Sequence, residues 1–342
     1  MKASKQVRVT LRDIALRSGF TVNTVSSALR DDGRLSQETR AKIKQIAAAL
    51  GYIPNRMAST LRSGKSRIIA VIVNDLHNQH FTILLEDLDQ ALREQVYNMM
   101  IFCMQLNEAL GEQLIHTAIS LSVEGILYFP FHNNRTHIEI MKKNHMPFVL
   151  IDRWIQGVEA DCIRIDDFEA GYQAGRHLIE LGHRTFLRLA GVLSSSSEIE
   201  RREGFAKALS EARLPQSCTR VVCWEAMQQS IANDTVAALL MPLGYTAIFS
   251  FSDELAYHIM NAMEKHMISV PDDISIISID HIHGGIPYLP RLTSIAAING
   301  HEATAAVRML VQRINQPESP PHNDVINIRI YDEGTTAAPK QK

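Results

Sequence analysis

The stretch TLRDIALRSGFTVNTVSSALR, residues 10–30, decides how the chain begins. It reads as two short helices joined by a three-residue turn, the shape that places one helix in the major groove of DNA. Thr10 is positioned to cap the first helix, with Asp13 at the third helical position as a shortened capping box. Leu11, Ile14 and Ala15 form one apolar face, and Gly19 sits where the turn needs a positive φ. Thr21 is placed to cap the second helix, with Val22, Val25, Ala28 and Leu29 facing inward. Asn23, Thr24, Ser26, Ser27 and Arg30 then face out, short polar groups and one Arg suited to base edges and phosphates. An ordinary helical hairpin fits the same residues, so the decision rests on what surrounds them.

The charge distribution favours a nucleic-acid partner. Residues 1–67 carry 14 Lys and Arg against 4 Asp and Glu, a net +10, while the whole chain of 342 residues carries 35 against 37. A basic N-terminal segment on an acidic body suggests a DNA-binding head attached to a domain with another task. The four cysteines show no CxxC spacing, which suits reduced thiols in the cytoplasm. MKASKQVRVT lacks the apolar core of a signal peptide, and apolar runs such as Ile68–Val73 are too short to span a bilayer. The expected location is therefore cytoplasmic.

A third helix is predicted over 37–50. Ser36 caps it, Ile43, Ile46, Ala47 and Leu50 turn inward, and Arg40, Lys42 and Lys44 are available to phosphate. The head so defined spans residues 1–50. GYIPNRMASTLRSGKS, residues 51–66, follows as a linker, broken by Pro54 and offering one or two helical turns from Asn55 to Arg62. A helix that short is marginal unless a partner or DNA supports it.

From residue 67 the pattern alternates. Strands are predicted at Ile68–Val73, Met99–Cys103, Gly125–Phe129, Phe148–Ile151, Cys162–Ile165, Thr185–Leu189, Ala247–Ser250 and Ile274–Ser278. Helices are predicted at Phe81–Gln95, Ala109–Leu121, Phe168–Leu181, Arg201–Ala212 and Glu254–Met267. Alternating β and α indicates parallel sheets covered by helices. Residues 67–331 are too many for one such sheet, so two lobes with a ligand cleft between them are expected. Residues 332–342 read as a polar tail.

Motifs of catalysis fail on inspection. There is no GxG, and Gly64-Lys65-Ser66 lacks the first glycine of a P-loop, where Ser59 stands. His301-Glu302 begins a zinc-protease motif that Ala305 interrupts, and Ser194–Ser197 has no nucleophile-elbow context. Asp280, His281 and His283 read as polar loop residues rather than metal ligands. No enzyme, cofactor or metal is expected.

Taken together, these motifs resemble the lactose-repressor/galactose-repressor (LacI/GalR) family of bacterial transcription factors. TLRDIALRSGFTVNTVSSAL is similar to the family's helix-turn-helix and GYIPNRMASTLRSGKS to its hinge helix. The body motifs IDR (151–153), HLIELGHR (177–184), RREGF (201–205) and VPDDISIISID (270–280) occur in the family's order. The resemblance implies an all-α helix-turn-helix head on an α/β, periplasmic-binding-protein-like body of two parallel-sheet lobes. It places Val22, Asn23 and Ser27 at bases and Thr10, Thr21, Ser26, Ser36, Thr39 and Asn55 at the DNA backbone. It places Leu61 in the minor groove, although packing between paired hinge helices also suits that leucine. The family often has Arg where Ser27 stands, so a distinct operator is implied.

In the body, the resemblance assigns Asp152, Ser197, Arg201, Trp224, Ser252 and Asp280 to effector contacts, and Phe81 to stacking on a ligand ring. A structural Arg201–Asp280 ion pair with Trp224 in the core is the alternative reading. Ser252 departs from the more usual Asn, and Ser278 from a common Gly. The implied protein is a ligand-responsive regulator, a repressor of a sugar-utilisation operon. It binds a pseudo-palindromic operator as a homodimer, because YDEGTTAAPKQK has no heptad for a tetramer. A sugar-modifying α/β enzyme or a solute-binding protein are the rivals. The first lacks a catalytic motif here, and the second calls for a secretion signal and no basic head.

Overall fold

A computed structural model describes residues 9–31, 34–54, 64–232, 235, 244–282, 291–298 and 301–340. Contacts divide the chain into two units, 1–66 and 67–342.

Among its described residues the first unit holds three helices: α1 (Leu11–Ser18), α2 (Val22–Leu29) and α3 (Gln37–Ala49). The Asp13 carboxylate accepts from the backbone N–H and the hydroxyl of Thr10, both at 2.8 Å, which fixes the start of α1. Those bonds, the backbone one foremost, hold Asp13 below the usual carboxylate range. Gly19 ends α1 at φ 77°. Thr21 and Ser36 accept from the backbone N–H of Thr24 and Thr39, each at 3.2 Å, capping α2 and α3. Ile14, Val25, Ala28, Ile43 and Ala47 form a small buried core.

The second unit contains two six-stranded sheets. Lobe 1 is built from β1 (Ile68–Val73), α4 (Gln79–Glu94), β2 (Asn98–Cys103), α5 (Glu108–Ser120), β3 (Gly125–Tyr128), α6 (Arg135–Lys143), β4 (Phe148–Ile151) and β5 (Cys162–Ile165). Lobe 2 follows with α7 (Asp167–Glu180), β6 (Phe186–Leu189), α8 (Ser196–Glu211), β7 (Thr219–Val222), α9 (Trp224–Ala232), β8 (Ala247–Ser250), α10 (Asp253–Lys265), β9 (Ser275–Ile279) and β10 (Ser294–Ala297). The chain then returns to lobe 1 for α11 (Glu302–Asn315) and β11 (Asn323–Ile326) and crosses again for β12 (Ile328–Tyr331). The strand orders are β11-β5-β4-β3-β1-β2 and β12-β10-β9-β8-β6-β7. Pairing is parallel throughout except that β12 runs antiparallel to β10, a departure from the purely parallel lobes expected.

β1, IIAVIV, is buried along all but its first residue, the pattern of a central parallel strand covered on both faces. α4 and α11 pack on one face of the first sheet, α5 and α6 on the other. α9 and α10 cover one face of the second sheet, α7 and α8 the other. α7 and α8 touch backbone to backbone at Gly171 and Gly204: a Cβ on Gly171 would lie 2.0 Å from the Arg201 carbonyl oxygen, and one on Gly204 1.9 Å from that of Phe168.

The segment read as a polar tail is docked on lobe 2. Thr335 is buried and donates to the Ile276 carbonyl at 2.7 Å, and Lys340 pairs with Asp273 at 2.9 Å. The buried His183 ring contacts the Ala337 carbonyl at 2.9 Å. Among the described residues no helix is long and apolar enough to cross a membrane.

Candidate functional site

In the head, Thr10, Thr21, Val22, Asn23 and Ser36 are exposed, while Ser26, Ser27 and Thr39 are half-buried. Val22 corrects one expectation: it is 38% exposed and leaves the inward face of α2 to Val25 and Ala28. As the first residue of α2 it projects beside Asn23 instead. A second difference concerns α3. The Lys44 ammonium lies 2.5 Å from Asp31 and the Lys42 ammonium 5.8 Å from the Phe20 ring centre, so both are engaged within the head. Asn55 and Leu61, with the hinge helix predicted around them, lie outside the described residues.

In the body, six of the seven expected effector residues line a single cavity of about 410 Å³: Phe81, Asp152, Ser197, Arg201, Ser252 and Asp280. Phe81 and Asp152 come from lobe 1, the other four from lobe 2. Asp152 and Asp280 follow the last residues of β4 and β9, and Ser252 stands just beyond β8, at the carboxyl ends of parallel strands. Trp224 opens α9, and its side chain lies outside the described residues.

Lobe 2 builds its wall from buried ion pairs. Arg201 Nε donates to Asp167 at 2.7 Å and Nη1 to the Phe251 carbonyl at 2.6 Å, with the guanidinium 4.4 Å from the Phe251 ring centre. The ion pair anticipated as the alternative role of Arg201 is therefore made with Asp167, and a separate face still lines the cavity. Glu198 accepts from Arg188 and from the Gly191 N–H, fixing the loop that leads to Ser197. Asp253 accepts from Ser278, from Ser294 at 2.7 Å and from the Ile282 N–H at 2.9 Å, anchoring the loop that carries Asp280. The Ser252 hydroxyl accepts from the Leu255 N–H at 3.4 Å as the cap of α10.

Two of the cavity carboxylates sit on backbone that L-residues rarely adopt, Asp152 at φ 68° and Asp280 at φ 121°. Such strain persists where surrounding structure enforces it, commonly at functional sites. Between them lies His80, 3.2 Å from Asp152 and 3.9 Å from Asp280, a bridge from one lobe to the other. Burial alone would lower the imidazole's affinity for a proton. The two carboxylates outweigh burial and hold it up at about 10. Burial also works against the charge of Asp152, but His80 beside it keeps the group below the usual carboxylate range. Burial pushes Asp280 up to about 6 against the pull of His80 and Arg201, and Asp253 up to about 7.

Several cavity residues escape sequence reasoning. His80, Arg153, Glu302 and Tyr331 line it beside the expected six. Arg153 stands within the quoted IDR motif and was legible there, whereas His80 and Glu302 carry no local signature. Trp154 of lobe 1 also reaches across. Its backbone N–H donates to Ser196 and its indole N–H to Glu200, both at 3.1 Å, and Arg164 pairs with Glu200 at 2.9 Å. Among the described residues no group of three or more His, Cys, Asp or Glu is placed to hold a metal, and His283 lies outside them.

The His80 bridge carries a pH signature. A histidine raised from 6.5 to about 10 on folding contributes stability that is complete below pH 6.5 and is lost as pH rises toward about 10. The wild-type body is expected to melt several degrees lower at pH 9 than at pH 6.5, and His80→Gln to flatten that slope. Parallel melting curves for the two proteins would remove the bridge as a source of stability.

A basic helix-turn-helix head and a two-lobed α/β body with an interlobe cavity define a class: a DNA-binding transcriptional regulator with a periplasmic-binding-protein-like ligand domain. Comparison with known proteins agrees. The family model for bacterial regulatory proteins, lacI family, matches residues 10–55, and that for the periplasmic binding protein-like domain matches residues 176–336. The chain thus joins a helix-turn-helix domain similar to that of the lacI family to a periplasmic-binding-protein-like domain. It is 28% identical over 305 residues to the HTH-type transcriptional repressor PurR of Actinobacillus pleuropneumoniae serotype 3 (strain JL03), covering 89% of this chain and 91% of that protein. A LacI family regulator from Enterococcus faecium with bound ribose superposes at TM-score 0.69 with 26% identity, over 80% of this chain and all of that one. The lac repressor dimer bound to operator and the anti-inducer ONPF superposes at TM-score 0.82 with 23% identity, over 97% of this chain and all of that one. These relatives are regulators rather than enzymes.

Proposed function

We propose that the chain is a repressor whose grip on a pseudo-palindromic operator is set by a small polyhydroxylated effector, a sugar or sugar derivative, in the interlobe cavity. The observation that carries this reading is the convergence of Phe81 and Asp152 from one lobe with Ser197, Arg201, Ser252 and Asp280 from the other on one cavity. A ligand touching both lobes has different affinities for different lobe arrangements, and that difference is what shifts DNA affinity. Carboxylates and a guanidinium make charge-assisted bonds to hydroxyls, and Phe81 offers an apolar ring face. The bound ribose of the Enterococcus faecium relative supports this chemistry.

Two subunits present two heads to two half-sites. Val22, Asn23 and Ser27 read base edges. Thr10, Thr21, Ser26, Ser36, Thr39 and Asn55 hold the backbone, and Leu61 wedges into the minor groove. The test is selection of bound fragments from random DNA, followed by a binding assay with and without a panel of sugars. Specific binding that weakens with salt and changes with a sugar is expected. Salt-insensitive binding or none sinks the reading, and a tetramer by light scattering sinks the dimer. Asn23→Ala is expected to cost about 1–3 kcal/mol and to relax preference at one base position. A uniform loss across all sequences would make Asn23 a backbone contact instead.

A further inference from the structure

We propose that His80 is an interlobe latch: its protonated ring, anchored in lobe 1 by Asp152, draws in Asp280 of lobe 2, so that the chain holds its own lobes together before any ligand enters. The inference goes beyond the proposed function and needs neither a sugar nor an operator.

His80 is the second residue of α4, and its place is fixed from behind. The Asn78 side chain caps the helix by accepting from the His80 N–H at 2.9 Å. The ring then meets two carboxylates, Asp152 at 3.2 Å through Nε2 and Asp280 at 3.9 Å through Nδ1. Asp152 belongs to the same lobe as α4, so the first contact orients the ring and the second crosses to lobe 2. Asp280 is fixed on its own side. Its N–H donates to the Ile295 carbonyl at 3.0 Å, and Asp253 holds the loop beyond it through the Ile282 N–H. The crossing contact is thus an attraction between charges set in two separate bodies, and it changes with their separation while the Asp152 bond does not.

The surrounding charges leave this tie to His80. Beside it in lobe 1, burial and Asp152 push Glu302 far up the scale, so at neutral pH Glu302 is protonated and bonds to Asp152. Arg201 lies near Asp280 but in the same lobe, where it joins nothing across. Arg153 of lobe 1 is bonded to the carbonyls of Pro130 and Phe131, and it faces Arg201 as well as Asp167 and Asp280, so repulsion offsets attraction. At the mouth of the cavity like meets like: Glu254 of lobe 2 is pushed up by burial and by Asp75 of lobe 1, while His77, paired with Asp75 at 2.9 Å, stands in solvent. Without the His80 cation, Asp75 and Asp152 would face Glu254 and Asp280 with net repulsion. At neutral pH the cation is present. Despite burial, the two carboxylates hold His80 up at about 10, and Asp280, pushed up by burial to about 6, is charged as well. Any ligand that takes Asp280 takes it from His80, and the lobes then answer to the ligand instead.

The chain carries its own reporter. It has two tryptophans, and Trp154 of lobe 1 donates its indole N–H to Glu200 of lobe 2 at 3.1 Å. Acrylamide quenching of Trp154 is measured without ligand at pH 7.5 in a full-length parent carrying Trp224→Phe, with circular dichroism to check folding. His80→Gln and Asp280→Asn should each raise the quenching constant about twofold as the lobes loosen. The double variant should exceed neither, because both changes break one contact. His80→Lys, which restores a cation, should return the parent value. Raising the pH toward about 10, where the ring gives up its proton, should bring the parent up to the His80→Gln value and leave that variant unchanged. Parent-like quenching in His80→Gln, additive effects of the two variants, no recovery with lysine, or the same pH curve in parent and His80→Gln each overturns the latch. If His80→Gln does not fold, Asp280→Asn read against the parent over the same pH range decides in its place, and equal curves overturn the proposal.

Discussion

Arg201→Ala is expected to destabilise the body by about 3–5 kcal/mol and to abolish the response to effector. The stability loss follows from what the substitution leaves behind. Arg201 and Asp167 are both almost fully buried and joined at 2.7 Å, so removing the guanidinium strands a carboxylate in a low-dielectric interior. In a domain of this size that corresponds to a fall in melting temperature of roughly 10 °C. Burial already raises Asp167 above the usual carboxylate range despite the Arg201 charge, so in the variant it will take up a proton more readily still. The double variant Arg201→Met, Asp167→Leu separates the two roles of the arginine. Replacing both partners by apolar groups of similar volume is often neutral for stability. The double variant should therefore recover much of the melting temperature without regaining effector binding. Recovery of both would make Arg201 a purely structural residue, and a single variant as stable as wild type would remove the buried pair from the account.

Gly171→Ala and Gly204→Ala should each cost about 3 kcal/mol, the upper part of the range for overpacking. At both positions the added Cβ would fall at or below 2.0 Å from a backbone carbonyl oxygen, which no rotamer change can relieve. Helices α7 and α8 must separate, and α8 carries Ser197 and Arg201 into the cavity. Gly171 faces the carbonyl of Arg201 itself, so its variant should weaken effector binding along with the fold. Gly244→Ala is the control: nothing among the described residues lies within 4 Å of its Cβ position, and a change within about 0.5 kcal/mol is expected. Thermal melts of the three proteins measure the contrast. Equal melting temperatures would mean that the two helices do not approach backbone to backbone.

The parts of the fold legible in the sequence are those whose signal is local. IIAVIV and FVLI read as strands because central parallel strands are apolar on both faces. The edge strands TRVV and NDVI mix exposed and covered residues over four positions, too short for alternation to register. β10 and β12, along with α6, α9 and α11, likewise stand outside the elements that the sequence pattern predicts. Asp152, Arg201 and Asp280 were reachable because each stands in a short motif carried by the family resemblance. His80 and Glu302 were not. His80 acts by lying between two aspartates that come from different lobes, and Glu302 by returning to lobe 1 after the whole of lobe 2 has intervened. Pairings made by topology leave no trace at helix or strand period. Val22 shows the converse failure: an apolar residue at helical spacing was assigned inward, although its place in the first turn of α2 leaves it in the open.

The threefold crossing between lobes has a consequence for how the chain is made. The head is contiguous and can close its core as soon as α3 has emerged. Lobe 1 cannot: α11 and β11, which fill one face of its sheet and extend its edge, are translated after lobe 2. Lobe 2 in turn waits for β12 and for the strap ending at Lys340. During synthesis the nascent chain therefore carries a closed three-helix core at its start while both sheets of the body still wait for their late strands, β11 for the first and β12 for the second.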